Sequence, residues 1–176
     1  MPMPEIKDDI LKRLDDLDEL LSLNDTHNDD LLMAIIVGGA AMLVMGYIDR
    51  ATKDIDFIEV SREAEKFLPD FDINTNAAAY LSSFPDDYEE RLKPLPVGGR
   101  KIRYYAASLE DIVISKINSY RDKDMEDIRN QGVIKALNWD LLDKLAGEKM
   151  AYALNDTQRA IFKSMYDAYL TEKHSK

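Results

Sequence analysis

The sequence predicts an α/β (α+β) fold, a small mixed β-sheet flanked by helices. Two observations predict it. Short apolar, β-branched runs lie in the middle of the chain, whereas three-to-four-residue apolar periodicity dominates both ends. The strand-like runs also do not alternate regularly with helices, which favours a mixed sheet with segregated helices over a βαβ series.

Taken in order, residues 4–23 form an amphipathic helix, because Ile6, Ile10, Leu14, Leu17 and Leu21 recur on one face with Asp, Glu and Lys between them. Residues 24–30 are polar and read as a loop. The run 33–37 (MAIIV) is a buried strand closed by Gly38-Gly39, and 40–45 is a short apolar helix stopped near Gly46. Residues 54–60 alternate and form a second strand. A helix over 62–67 ends at Pro69, residues 71–73 suit a short strand, 75–83 a helix, and 85–91 a helical turn. Residues 95–97, Gly98-Gly99 and 101–105 read as a hairpin. Ser108 is an N-cap, with Glu110 and Asp111 in the first turn where the helix dipole favours acids, and that helix runs to Tyr120. Further helices run from Lys123 to Gly132, over 140–154 and over 157–171. The expected organisation is an N-terminal helix and loop (1–32), a sheet-containing core (33–130) and C-terminal helices packed on it (131–176).

Composition narrows the chemistry. The chain has 176 residues, 45% apolar and 32% charged, as in an ordinary globular protein. The absence of cysteine removes disulfides, thiolate nucleophiles and Cys-based metal sites. The two histidines, His27 in a polar loop and His174 in the tail, make imidazole metal sites and Ser-His-Asp triads improbable. No apolar run approaches the roughly 18–20 residues of a membrane span, and no secretory signal opens the chain. These features lead us to expect a soluble cytoplasmic protein with no membrane association. The formal net charge of −11 argues against general DNA or RNA affinity, which depends on many Lys/Arg–phosphate contacts. Lys93, Arg100, Lys101 and Arg103 remain as a local basic group.

One constellation carries chemistry: Val37-Gly38-Gly39, then Arg50-x-Thr52-Lys53, then Asp54-Ile55-Asp56. Residues two apart on a strand share a face, so Asp54 and Asp56 point together while Ile55 and Phe57 enter the core. Two adjacent like charges are costly unless a cation joins them, and Mg²⁺ (or Mn²⁺) suits such oxygen ligands. Gly-Gly lets the backbone approach a ligand, so a phosphate chain fits between that turn and a metal on the two aspartates. Such an arrangement serves phosphoryl or nucleotidyl transfer.

The segment 37–43 (VGGAAML) followed by 50–56 (RATKDID) resembles the motif of minimal nucleotidyltransferases of the DNA polymerase β superfamily, in particular the prokaryotic nucleotidyltransferase-like toxins of type IV (abortive-infection) toxin–antitoxin systems. A second block, 109–116 (LEDIVISK) and 121–128 (RDKDMEDI), resembles their downstream lysine helix and Arg-x-Lys-Asp-x-x-Asp segment. The resemblance covers about residues 33–130. It implies a magnesium-dependent transfer of a nucleoside monophosphate from a nucleoside triphosphate to a hydroxyl of RNA, protein or a small molecule, and a cognate antitoxin as partner. The implied catalytic residues are Asp54, Asp56 and Lys116. Gly38, Gly39, Arg50, Lys53, Arg121 and Asp124 would lie around the nucleotide and its phosphates.

Several alternatives stay open on the residues themselves. Lys116 falls within the apolar stripe of Leu109, Ile112, Val113, Ile117 and Tyr120, so it either snorkels to solvent or serves an inner anionic group. Arg50 pairs with a nearby carboxylate or meets a phosphate, and Thr52 reads as a turn residue. Arg121, Lys123, Asp124 and Asp127 suit a solvated helix start. Fully active superfamily members usually carry a third acid on a later strand; residues 101–105 (KIRYY) contain none, and Asp111, Asp124 or Asp127 are the acids that could substitute. A catalytically degenerate nucleotide- or partner-binding module is therefore the competing expectation.

Overall fold

A computed structural model describes residues 6–24, 30–153 and 155–173. His27, His174 and the extreme N-terminus lie outside the described residues, as does most of the predicted 24–30 loop. The chain divides into two compact units: residues 1–81 with 89–107, and residues 82–88 with 108–176.

The first unit is built on a mixed sheet in the order β3-β2-β1-β5-β4, formed by β1 (Leu32–Val37), β2 (Ile55–Val60), β3 (Ile73–Asn74), β4 (Lys93–Gly98) and β5 (Ile102–Ala106). β1 runs antiparallel to β2 and parallel to β5. The sheet confirms the predicted mixed α/β class. Helix α1 (Lys7–Asn24) buries Ile10, Leu14, Leu17 and Leu21 of the predicted stripe, whereas Ile6 precedes the helix and is exposed. Asp18 on the same helix is fully buried, and its carboxylate accepts the backbone N–H groups of Arg100 (3.0 Å), Lys101 (2.8 Å) and Ile102 (2.9 Å). The Tyr104 hydroxyl donates to the Leu14 carbonyl at 2.8 Å. Three N–H donors and the nearby Arg100 satisfy the hydrogen-bonding capacity of this buried side chain.

Helix α2 (Gly38–Val44) follows β1 without a linker, and α3 (Arg62–Glu65) follows β2. Pro69 lies in a 3₁₀ turn, Leu68–Phe71, rather than simply ending a helix. The helix expected over 75–83 is a 3₁₀ segment, Asn76–Ser83. Its start is tightened by Asn74, whose side-chain oxygen accepts from the Asn76 N–H at 3.0 Å.

The second unit is helical: α4 (Leu109–Ser119), α5 (Asp122–Ile128), α6 (Gln131–Ala136), α7 (Trp139–Ala151) and α8 (Asp156–Lys173). Ser108 caps α4 as expected, accepting from the Asp111 N–H at 3.1 Å. The helix predicted to stop at Gly132 stops earlier, at Ile128, and Gly132 instead lies in the first turn of α6. Asn130 causes this: its side chain accepts from the Gly132 N–H at 2.8 Å and starts a new helix.

Candidate active site

The first half of the predicted constellation comes together at one end of the sheet. Asp54 lies exposed just ahead of β2, and Asp56 is half-buried on its second residue. Ile55 and Phe57 are fully buried between and beyond them, as alternation requires. Val37 pairs with Asp56, so the Gly-Gly turn leaves β1 directly beside the carboxylate. Gly38 has φ +66°, a left-handed conformation that glycine adopts without penalty. A Cβ at this position would lie 3.6 Å from Asp56 Oδ2. At Gly39 a Cβ would lie 3.4 Å from both Arg50 Nη2 and Thr52 Oγ1. The Asp56 carboxylate thus lies close to Gly38 and the Arg50 guanidinium close to Gly39.

Two neighbours of this cluster escape sequence reasoning. Thr52, read as a turn residue, is buried, covers Gly39, and directs its hydroxyl to the Asp54 carbonyl at 3.4 Å. Its place inside the Arg-x-Thr-Lys-Asp-x-Asp run was the available signal. Asn74 pairs with Asp56 from β3 and so shares its sheet face. No local signal marks it, since the pairing joins segments far apart in sequence. Arg50 also donates to the Ala51 carbonyl at 3.2 Å, and Lys53 is exposed.

The remaining predicted residues gather in the second unit. Lys116 does not snorkel. Its side chain is buried, and Nζ donates to Asp124 Oδ1 at 2.7 Å and Asp127 Oδ2 at 2.9 Å. Asp124 Oδ2 also lies 2.6 Å from Ser119 Oγ and 2.6 Å from Arg121 Nε. Burial alone would raise the Asp124 carboxyl. The Lys116 charge and the hydrogen bonds from Lys116, Ser119 and Arg121 outweigh it and hold the group below the ordinary carboxylate value. Asp124 and Asp127 are therefore interior residues rather than parts of a solvated helix start, while the Arg121 side chain stays largely exposed.

Of these groups, Asp54 and Asp56 are the ones that could hold a metal ion. They are oxygen donors at a strand end, one exposed and one half-buried, beside a turn without side chains, and Mg²⁺ commonly takes one or two carboxylates and completes its shell with water and phosphate oxygens. Among the described residues, no group of three or more Asp, Glu, His or Cys side chains is placed to hold a metal ion. The strand β5 carries no acid.

A mixed sheet with a glycine turn beside an Asp-x-Asp strand is consistent with a small nucleotidyltransferase core. Residues 12–174 match the family described as "Nucleotidyltransferase of unknown function (DUF6036)", so the chain belongs to that family, and the match extends from α1 to α8. Neither the curated proteins nor the solved structures provided a match. Among the described residues, no helix is long and apolar enough to cross a membrane.

Proposed function

We propose that this protein transfers a nucleoside monophosphate from a nucleoside triphosphate to an acceptor hydroxyl, using Mg²⁺ or Mn²⁺ held by Asp54 and Asp56. The observation that carries this reading is the closeness of the left-handed Gly38 to the Asp56 carboxylate, where an added Cβ would stand 3.6 Å from Oδ2, with the Arg50 guanidinium 3.4 Å from where a Cβ on Gly39 would be. A bound divalent ion would neutralise phosphate charge and favour attack at phosphorus. Around it, Gly38 and Gly39 leave space for the phosphate chain, and Arg50 and Lys53 supply positive charge on the same unit. In the transfer, the acceptor oxygen forms a bond to the α-phosphorus, the bond from that phosphorus to pyrophosphate breaks, and the hydroxyl proton leaves to a base or to solvent. Lys116, Arg121 and Asp124 take no part in this reading: they engage one another within the second unit. The acceptor is a hydroxyl of RNA, protein or a small molecule.

The resemblance to abortive-infection toxins extends the proposal to a toxin whose activity a cognate antitoxin restrains. Induced expression of the wild-type chain should then arrest growth, and D56A should relieve it; equal arrest by both excludes this role for the site.

A second reading has its own observation. With no third acid on β5, the site suits nucleotide binding without transfer. Incubation of the protein with labelled nucleoside triphosphates, Mg²⁺ or Mn²⁺ and cell extract separates the two. Label transfer that D56A abolishes supports the enzyme. Metal-dependent nucleotide binding without transfer supports the module. Binding unchanged in D54A and D56A contradicts both.

A further inference from the structure

Asp56 has a paired neighbour on each adjoining strand. On β1 the partner is Val37, and on β3 it is Asn74. Adjoining strands lie about 4.8 Å apart, and paired residues present their side chains to the same face. Val37 is buried and apolar. Of the two neighbours, then, Asn74 is the polar one, and it is half-buried.

The two ends of the Asn74 amide are used differently. Oδ1 accepts the Asn76 N–H at 3.0 Å, which holds the side chain in place and leaves Nδ2 as its other end. Among the described residues, Nδ2 donates to no protein group. The turn does not account for this end. An aspartate would accept from the Asn76 N–H just as well. Asparagine keeps that acceptor, adds two N–H donors, and places no further negative charge beside Asp54 and Asp56. A held donor pair next to a carboxylate suits an anion that reaches the site with a cation. Mg²⁺ on one or two carboxylates takes phosphate oxygens into the same shell, which brings such an anion to the face that Asn74 shares with Asp56. Hydrogen bonds to a charged oxygen are also the stronger kind.

We propose that Asn74 is a nucleotide-binding residue whose Nδ2 donates to a phosphate oxygen of the nucleoside triphosphate. This rests on the reading of Asp54 and Asp56 as the metal–nucleotide site and adds to it a contact from β3.

Calorimetric titration of the full chain tests it, with Mn²⁺ alone and with Mn²⁺ plus the α,β-methylene analogues of ATP, GTP, CTP and UTP. Asn74→Asp keeps the acceptor for Asn76 and removes the donors, so its urea midpoint should match the wild type. Asn74→Ala removes the donors without adding charge. For the analogue that the wild type binds best, Asn74→Ala should weaken affinity about fivefold or more and Asn74→Asp about tenfold or more. Affinity for Mn²⁺ alone should not fall in either variant, which separates a phosphate contact from damage to Asp56. Wild-type analogue affinity in either variant, or a parallel loss of Mn²⁺ affinity, would overturn the assignment of Asn74. Asp56→Ala distinguishes the underlying reading. It should abolish metal-dependent analogue binding. If it binds like the wild type, or if the wild type binds no analogue, the metal–nucleotide site itself fails and the assignment with it.

Discussion

Gly38 owes its identity to backbone geometry rather than to packing space. A methyl 3.6 Å from Asp56 Oδ2 is ordinary contact, but φ +66° is unfavourable for alanine. Gly38→Ala should therefore cost about 1 kcal/mol in urea denaturation, and it should also weaken nucleotide binding by narrowing the approach to Asp56. Lys116 presents the opposite case, an identity set by burial. Truncating it leaves Asp124 and Asp127 as buried carboxylates short of their cation. Lys116→Met should cost about 3–5 kcal/mol, the usual penalty for breaking a buried ion pair from one side. A stability change under 1 kcal/mol would show that the cluster is looser than its distances imply.

Between elements, single carboxylates act as clamps. Asp18 joins α1 to the β4–β5 turn through three backbone N–H groups. Asp18→Ala would leave these donors without their buried acceptor and should cost about 3 kcal/mol or more. Asp124 joins α4 to α5 and carries a pH signature. Its folded pKa lies below 3.8, so its contribution is fully present above that value and is lost as pH falls through the folded pKa. Acid titration of stability should show a steeper loss below pH 3.8 in the wild type than in Asp124→Asn, with both curves measured by denaturant midpoint. At this scale the sequence was informative wherever local periodicity decided the outcome. The α1 stripe, the capping by Ser108 and the alternation about Asp54–Asp56 depend on near neighbours, and all three appear in the structure. Lys116 on an apolar stripe already signalled an unusual lysine. By contrast, Asn74 beside Asp56 and Lys149 on the 82–88 carbonyls depend on partners many residues away, which no local pattern encodes. Gly132 was misread for a different reason: glycine marks helix ends on average, but a preceding asparagine cap can make it a helix start.

For the whole molecule, charge and family membership set the frame. A net charge of −11 opposes general affinity for duplex DNA, which depends on counterion-releasing Lys/Arg contacts, so none is expected. Mobility-shift assays at about 0.15 M salt should show no general DNA binding at micromolar protein; a shift under those conditions would point to a local basic track around Arg100 and Arg103. The family match from α1 to α8 places the two compact units within one nucleotidyltransferase family. Asp54, Asp56 and the Gly38-Gly39 turn are the proposed metal–nucleotide site. Paramagnetic relaxation by Mn²⁺ with a non-hydrolysable nucleoside triphosphate tests it most directly. The Gly38 and Gly39 amide resonances should broaden first in the wild type and stay sharp in D56A; broadening centred elsewhere, or identical in D56A, would contradict the claim.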